Sequence, residues 1–136
     1  MADKQARKWQ LTINNPQDKG LDHDAIKKAL EQFKSCVYWC MADEVGLDTH
    51  TPHTHLFFCL KTPGKFSTVK KRFPEAHIEA ARGTVQENRD YVSKSGKWSE
   101  DEKSDTSIPG TFEESGEPPE EPGQGARTDI AVIYQQ

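Results

Sequence analysis

Long apolar runs are missing from this 136-residue chain. Only 33% of its residues are hydrophobic, and no stretch approaches the roughly 20 apolar residues that a membrane helix needs. The start, Met1 to Lys8, is polar and offers no apolar core of the kind a secretory signal carries. Cysteine is scarce too. Three of them, an odd number, without such a signal point to reduced thiols in a cytosolic or nuclear setting rather than to a disulfide framework. Cys36 and Cys40 lie in a run that reads as a strand, where positions i and i+4 are roughly 13 Å apart. They cannot share a zinc ion there, and the cysteines read as small core hydrophobes. No G-x-x-x-x-G-K-[ST] loop occurs, Gly64-Lys65-Phe66 falling short of it, so an ATP-driven motor is not expected in this chain.

What is present is unevenly spread. The net charge of −4 conceals 16 basic and 12 acidic side chains in residues 1–98, net +4, against 2 basic and 10 acidic in residues 99–136, net −8. The first part holds all three tryptophans and five of the six phenylalanines. Up to about Gly125, the second offers only Ile108 and Phe112 as sizeable apolar groups, among many Glu, Pro, Ser and Gly. Such a segment buries too little apolar area to offset the entropy of ordering it. The expectation is a folded domain over 1–98 and a flexible acidic linker over 99–125, dispensable for the domain's chemistry. A short apolar stretch in 126–136 reads as the start of an oligomerisation helix. The mildly basic domain permits a polyanionic partner.

Alternation of Trp9, Leu11 and Ile13 with Lys8, Gln10, Thr12 and Asn14 predicts a half-buried strand, ended by Asn15-Pro16. Asp22 caps a predicted helix with Ala25, Ile26, Ala29, Leu30 and Phe33 at helical spacing. Cys36 to Ala42 reads as a strand, and so does His53 to Lys61, with His53, His55, Phe57 and Cys59 on one face. Ser67 is expected to cap a short helix stopped by Pro74. His77 to Ala81 reads as a short strand. Thr84 is expected to cap a last helix running to about Ser95 and ended by Gly96. The order β-α-β-β-α-β-α, with loop-joined strands antiparallel, predicts an α+β fold: a central antiparallel sheet with flanking helices.

Three pieces of this pattern carry chemistry. His53-Thr54-His55 opens a strand, and period two puts both imidazoles on one face, Cα atoms roughly 6.5–7 Å apart, close enough to converge on one ion. Glu44 ends the preceding strand and would lie beside His53 if the two form a hairpin. Two imidazoles and a carboxylate suit Mn2+ or Mg2+ with positions left open for substrate oxygens. Tyr91 and Lys94, at i and i+3, share a helix face, and a nearby ammonium favours phenolate over phenol. Each piece alone has an ordinary explanation as surface or packing; it is their conjunction in this order that favours the chemical reading.

Trp9-Gln10-Leu11-Thr12-Ile13-Asn14-Asn15-Pro16, Thr51-Pro52-His53-Thr54-His55-Leu56 and Tyr91-Val92-Ser93-Lys94 occur in that order. Together they resemble the three motifs of the N-terminal endonuclease domain of replication initiator (Rep) proteins of circular single-stranded DNA viruses, the circovirus- and cyclovirus-like HUH endonucleases. The resemblance implies an RRM- or ferredoxin-like sheet arrangement. It also implies a rolling-circle initiator that nicks and rejoins single-stranded DNA at the stem-loop of a viral origin in the host nucleus. Glu44, His53 and His55 would hold the divalent cation. Tyr91 would attack phosphorus to leave a 5′-phosphotyrosyl link, and Lys94 would stabilise charge or lower the tyrosine pKa. Thr12, Asn14, Asn15, Arg7, Lys8, Arg82 and Asn88 would contact DNA, and the C-terminal segment would support a homo-oligomer. The middle residue of the metal motif is Thr54 rather than a large apolar residue, but it faces away from the imidazoles. A non-catalytic, RRM-like single-stranded nucleic-acid-binding module is the competing reading. It accounts for the basic domain but leaves the His pair, Glu44 and Tyr91 as coincidence.

Overall fold

The structure, a computed structural model, describes residues 3–46, 50–95 and 106–117. Its frame is a five-stranded sheet built from β1 (Gln5–Asn14), β2 (Cys36–Val45), β3 (Pro52–Lys65), β4 (His77–Ala80) and β5 (Glu113–Gly116). The spatial order is β4-β1-β3-β2-β5, and every pair is antiparallel. Three helices accompany it: α1 (His23–Leu30), α2 (Phe66–Arg72) and α3 (Val85–Ser93). A short 3-10 turn over Pro16–Lys19 follows β1. The expected α+β class and element order hold, with β5 added. Among the described residues, no helix is long and apolar enough to cross a membrane.

Strand alternation sorts side chains onto two faces. On one, Trp9, Leu11, Ile13, Met41, Leu56, Phe58 and Leu60 pack with Ile26 and Leu30 of α1 and Val69 of α2. On the other, Tyr38, Cys40, Ala42, Phe57 and Cys59 meet Val85 and Val92 of α3. Val85 and Val92 are seven residues apart, two helical turns, so α3 lies flat on the sheet along one line. Burying each large side chain contributes roughly 1.5–3 kcal/mol, which is why two small clusters suffice for so polar a chain. All three cysteines are free thiols, and burial raises Cys40 to about 12.

Local signals set most ends. Asp22 accepts from the Ala25 amide at 2.8 Å, as its side chain predicts. Thr84 and Glu87 form a reciprocal capping box at α3. Two expectations fail. Ser67 does not cap α2; Lys65 stands at the N-cap, and the Ser67 amide is instead met by the Asp3 carboxylate at 3.1 Å. The last helix stops at Ser93 rather than at Gly96, because Lys94 turns into the left-handed region with φ 56°.

The larger correction concerns the acidic segment. Residues 106–117, read as part of a flexible linker, run along the outer edge of β2, and the sheet does not end with the expected domain at residue 98. Composition misses this because the segment is held largely by charge and backbone, with Phe112 alone packing against the core cluster beneath α3. Glu113 is met by His23 and by Lys27 at 2.6 Å. Glu114 accepts from Nε and Nη2 of Arg89, each at 2.8 Å, and from the Tyr38 hydroxyl at 2.7 Å. The rest of the expected linker and the expected helix over 126–136 lie outside the described residues.

Gly116 closes β5 with φ 90°, and a Cβ there would stand 2.1 Å from the Val37 carbonyl oxygen. Both conformation and space therefore demand glycine. Gly116→Ala is expected to pull the end of β5 off β2 at a cost of about 1–3 kcal/mol, read as a lower Tm. An unchanged Tm would mean that the strap adds nothing to stability.

His23 supplies a pH-dependent hold on the same strap. Burial opposes its charge, but bonds to Asp43, at 2.8 Å, and to Glu113 outweigh it and raise its pKa. The stabilisation is then complete below the ordinary value of about 6.5 and is lost as pH rises through the higher folded-state value. The Tm gap between the chain and His23→Gln is expected to narrow as pH rises from about 6 to about 8. A gap independent of pH would overturn this.

Candidate metal centre and nucleophile

The β2–β3 hairpin sets Glu44 directly opposite His53 in register. His55 lies two residues further along β3, on the same face. The three donor groups lie within 4.8 Å of one another. Both imidazole Nε2 atoms stand 3.5 Å from one oxygen, Glu44 Oε1. Cis ligands of an octahedral ion at about 2.1 Å are roughly 3 Å apart, so the donors already stand near ligand spacing.

Each donor is fixed from behind. His53 Nδ1 lies 3.1 Å from the Thr51 carbonyl oxygen; a proton donated there leaves Nε2 as the lone-pair nitrogen facing Glu44. Thr12 Oγ1 lies 3.4 Å from His55 Nδ1. Glu44 is only 4% exposed, and a carboxylate so placed needs partners. Thr106 donates its hydroxyl to Oε1 at 3.0 Å, and Lys94 Nζ stands 2.9 Å from Oε2 as an ion pair. Burial alone would raise the pKa of Glu44. His53, His55 and Lys94 together overcome that and hold it at about 2, so the group is a carboxylate throughout the physiological range. Oε2 thus has the Lys94 ammonium as its partner, while Oε1 faces the two imidazoles. The donor set and its spacing fit a divalent cation, and Glu44, His53 and His55 are the residues that would hold it.

Tyr91 projects from α3 over this group, its ring centroid 5.7 Å from that of His55. The helix is pinned by Asn88, whose side chain is buried. It donates to the carbonyls of Arg82 at 2.9 Å and Thr84 at 2.8 Å and accepts from Gln10 at 2.6 Å. Asn88 is thus a bracket between α3 and β1, and it also lines the groove beside β4. Lys94 stands beside the tyrosine, its Nζ over the Tyr91 ring face, 3.8 Å from the centroid, and pairs with Glu44. The Tyr91 phenol is raised, not lowered, by burial first and by Glu44 and Glu79 after it.

The other expected DNA contacts scatter. Asn14 is exposed at the end of β1, opposite His53. Asn15, left-handed at φ 50°, lines a cavity of about 220 Å3 together with His53, Glu44, Asp18 and Ile108. Arg82 lines a separate groove of about 620 Å3 beside β4, with Lys4, Gln10 and Glu79. Arg7 is exposed near the opposite end of β1, roughly 20 Å along the strand from Asn14. Lys8, also at that end, donates to the Gly83 carbonyl. Sequence reasoning missed Thr106, Thr51 and the Gln10–Asn88 bracket. A threonine in an acidic, apolar-poor stretch carries no periodic signal, and a backbone carbonyl carries none at all.

Comparison with known proteins places this arrangement. A family described as "Putative viral replication protein" matches residues 6–95. The replication-associated protein of human associated cyclovirus 1 is 33% identical over 101 residues, covering 74% of this chain and 35% of that protein. That of pigeon circovirus is 33% identical over 99 residues, covering 67% and 27%. That of porcine circovirus 2 is 34% identical over 92 residues, covering 66% and 28%. The chain therefore spans about a third of the length of these relatives.

Proposed function

The chain belongs to this viral replication protein family, and from that premise we propose that it nicks and rejoins single-stranded DNA at a viral origin through a covalent tyrosyl intermediate. The single observation that carries the reading is the convergence of Glu44, His53 and His55 beneath the Tyr91 ring. A divalent cation held by those three side chains, Mn2+ or Mg2+, would supply Lewis-acid neutralisation of the scissile phosphate.

The chain's own residues account for the rest. The Tyr91 oxygen attacks phosphorus, and its bond to phosphorus forms as the bond from phosphorus to the 3′ oxygen breaks. The phenol gives up its proton and the leaving oxygen gains one, so the products are a 3′-hydroxyl and a 5′-phosphotyrosyl ester. The phosphodiester energy is retained in that ester, and the reverse reaction rejoins the strand without ATP. Lys94 keeps Glu44 ionised and fixed. Asn88 and the capping box hold α3 so that Tyr91 stays above His55. The exposed end of β1, with Asn14 and Asn15, offers polar groups beside the site for an unpaired strand.

The test is direct. The full chain, Mn2+ and an end-labelled hairpin oligonucleotide with an origin-like loop are expected to give a protein–DNA adduct that survives SDS. EDTA or His55→Ala should abolish the adduct while leaving DNA retention in a gel largely intact, because binding rests mainly on phosphate contacts. Undiminished adduct in EDTA would overturn the metal assignment. Binding without any adduct would favour the non-catalytic module.

A further inference from the structure

We propose that Thr106, from the strap that follows α3, is a positioning residue for the metal ligand Glu44, so that the centre is completed by a segment outside the three motifs. This rests on reading Glu44, His53 and His55 as a metal centre.

Rotation about the terminal carboxylate bond of glutamate is soft and broad. A ligand oxygen therefore holds its direction only if something outside the metal fixes it. Glu44 is fixed from two sides. Lys94 approaches Oε2 at 2.9 Å from the end of α3. Thr106 donates to Oε1 at 3.0 Å, the oxygen that both imidazoles face at 3.5 Å. The Thr106 hydroxyl thus acts on the atom that would enter coordination.

The strap delivers this hydroxyl through backbone pairing. Ser107 forms a bridge with Glu44 itself, and the Ile108 amide donates to the Asp43 carbonyl at 3.0 Å. Thr111 Oγ1 accepts from the Asp43 amide at 3.0 Å. Ligand and positioning residue therefore sit on paired segments, and the pairing at Ser107, Ile108 and Thr111 keeps the Thr106 backbone beside Glu44. Ile108 also walls the cavity beside His53 and Glu44, so the same turn closes the site towards the end of β1.

Loss of a partner that orients a metal ligand typically costs 10–100-fold in metal affinity. The experiment is a Mn2+ titration of the full chain by isothermal titration calorimetry. It compares wild type, Thr106→Val, Thr106→Ala, Thr106→Ser and His55→Ala, with Tm and circular dichroism recorded for each. Thr106→Val and Thr106→Ala are expected to weaken Mn2+ binding about 10–100-fold with the circular dichroism spectrum of the fold retained, and Thr106→Ser to restore it to within a few-fold. If Thr106→Val and Thr106→Ala bind as tightly as wild type while His55→Ala does not, the positioning role is overturned and the metal centre stands. Loss in Thr106→Ser equal to that in Thr106→Val also overturns it, since the hydroxyl is then not what matters. Failure of the wild type to bind Mn2+ overturns both.

Discussion

Tyr91→Phe is expected to eliminate covalent attachment to DNA and to leave the fold and the affinity for Mn2+ unchanged. The substitution removes one oxygen and keeps the ring that packs against His55 and beneath Lys94. Removing a nucleophile outright costs many orders of magnitude, about 10^4-fold or more, so the adduct falls to background. The measurement is an SDS gel of labelled hairpin with Mn2+, beside a Mn2+ titration of the same variant. Persistent adduct would transfer the role to another tyrosine. Tyr38 is poorly placed for it, being 1% exposed with its hydroxyl donated to Glu114 at 2.7 Å. Tyr134 lies outside the described residues.

The raised Tyr91 phenol bears on how that attack is helped. A neighbouring ammonium was expected to favour phenolate, yet Lys94 serves Glu44 and only the face of the ring. The phenol is instead raised by burial and by two carboxylates. A phosphodiester arriving there adds more negative charge to the same small volume. On the proposed mechanism, positive charge from the cation that Glu44, His53 and His55 would hold is then needed both at the phosphate and beside the phenol.

The parts legible in the sequence share one property: each is periodic or local. Alternation through Trp9, Leu11 and Ile13, and through His53, His55 and Phe57, sorted side chains onto the correct faces of the sheet. A short loop made Glu44 and His53 neighbours, as their register shows. Caps at Asp22 and Thr84 depend on residues three positions away. What was not legible depends on distant partners. Glu113 and Glu114 look solvated in a Glu-rich run, and only the fold brings His23, Lys27 and Arg89 to them. The turn at Lys94 is equally invisible, since a lysine in the left-handed region is disfavoured locally. Its side chain is used 50 positions away in sequence, on Glu44, and that ion pair is what the local strain can serve.

Lys94→Met is expected to destabilise the metal-free chain by about 3–5 kcal/mol, a large share of the 5–15 kcal/mol that holds a typical domain together. Lys94 is 6% exposed and Glu44 4%, so neither charge is well solvated. Methionine keeps most of the bulk, and what is lost is the cation beside Oε2. The carboxylate is then left buried among two imidazoles and the Thr106 hydroxyl, without its permanent positive partner. Two comparisons separate this from lost packing. Glu44→Gln combined with Lys94→Met removes both charges and is expected to recover much of the loss, because the penalty belongs to the unpaired carboxylate and the two changes couple. Saturating Mn2+ should also recover part of it, since a ligand that binds only the folded state stabilises by RT ln(1 + [L]/Kd) and here restores positive charge at the same group. Urea unfolding with and without Mn2+, for the four chains of the cycle, measures both. If the double variant is no more stable than Lys94→Met, Lys94 matters for its packing over Tyr91 and not for its charge on Glu44.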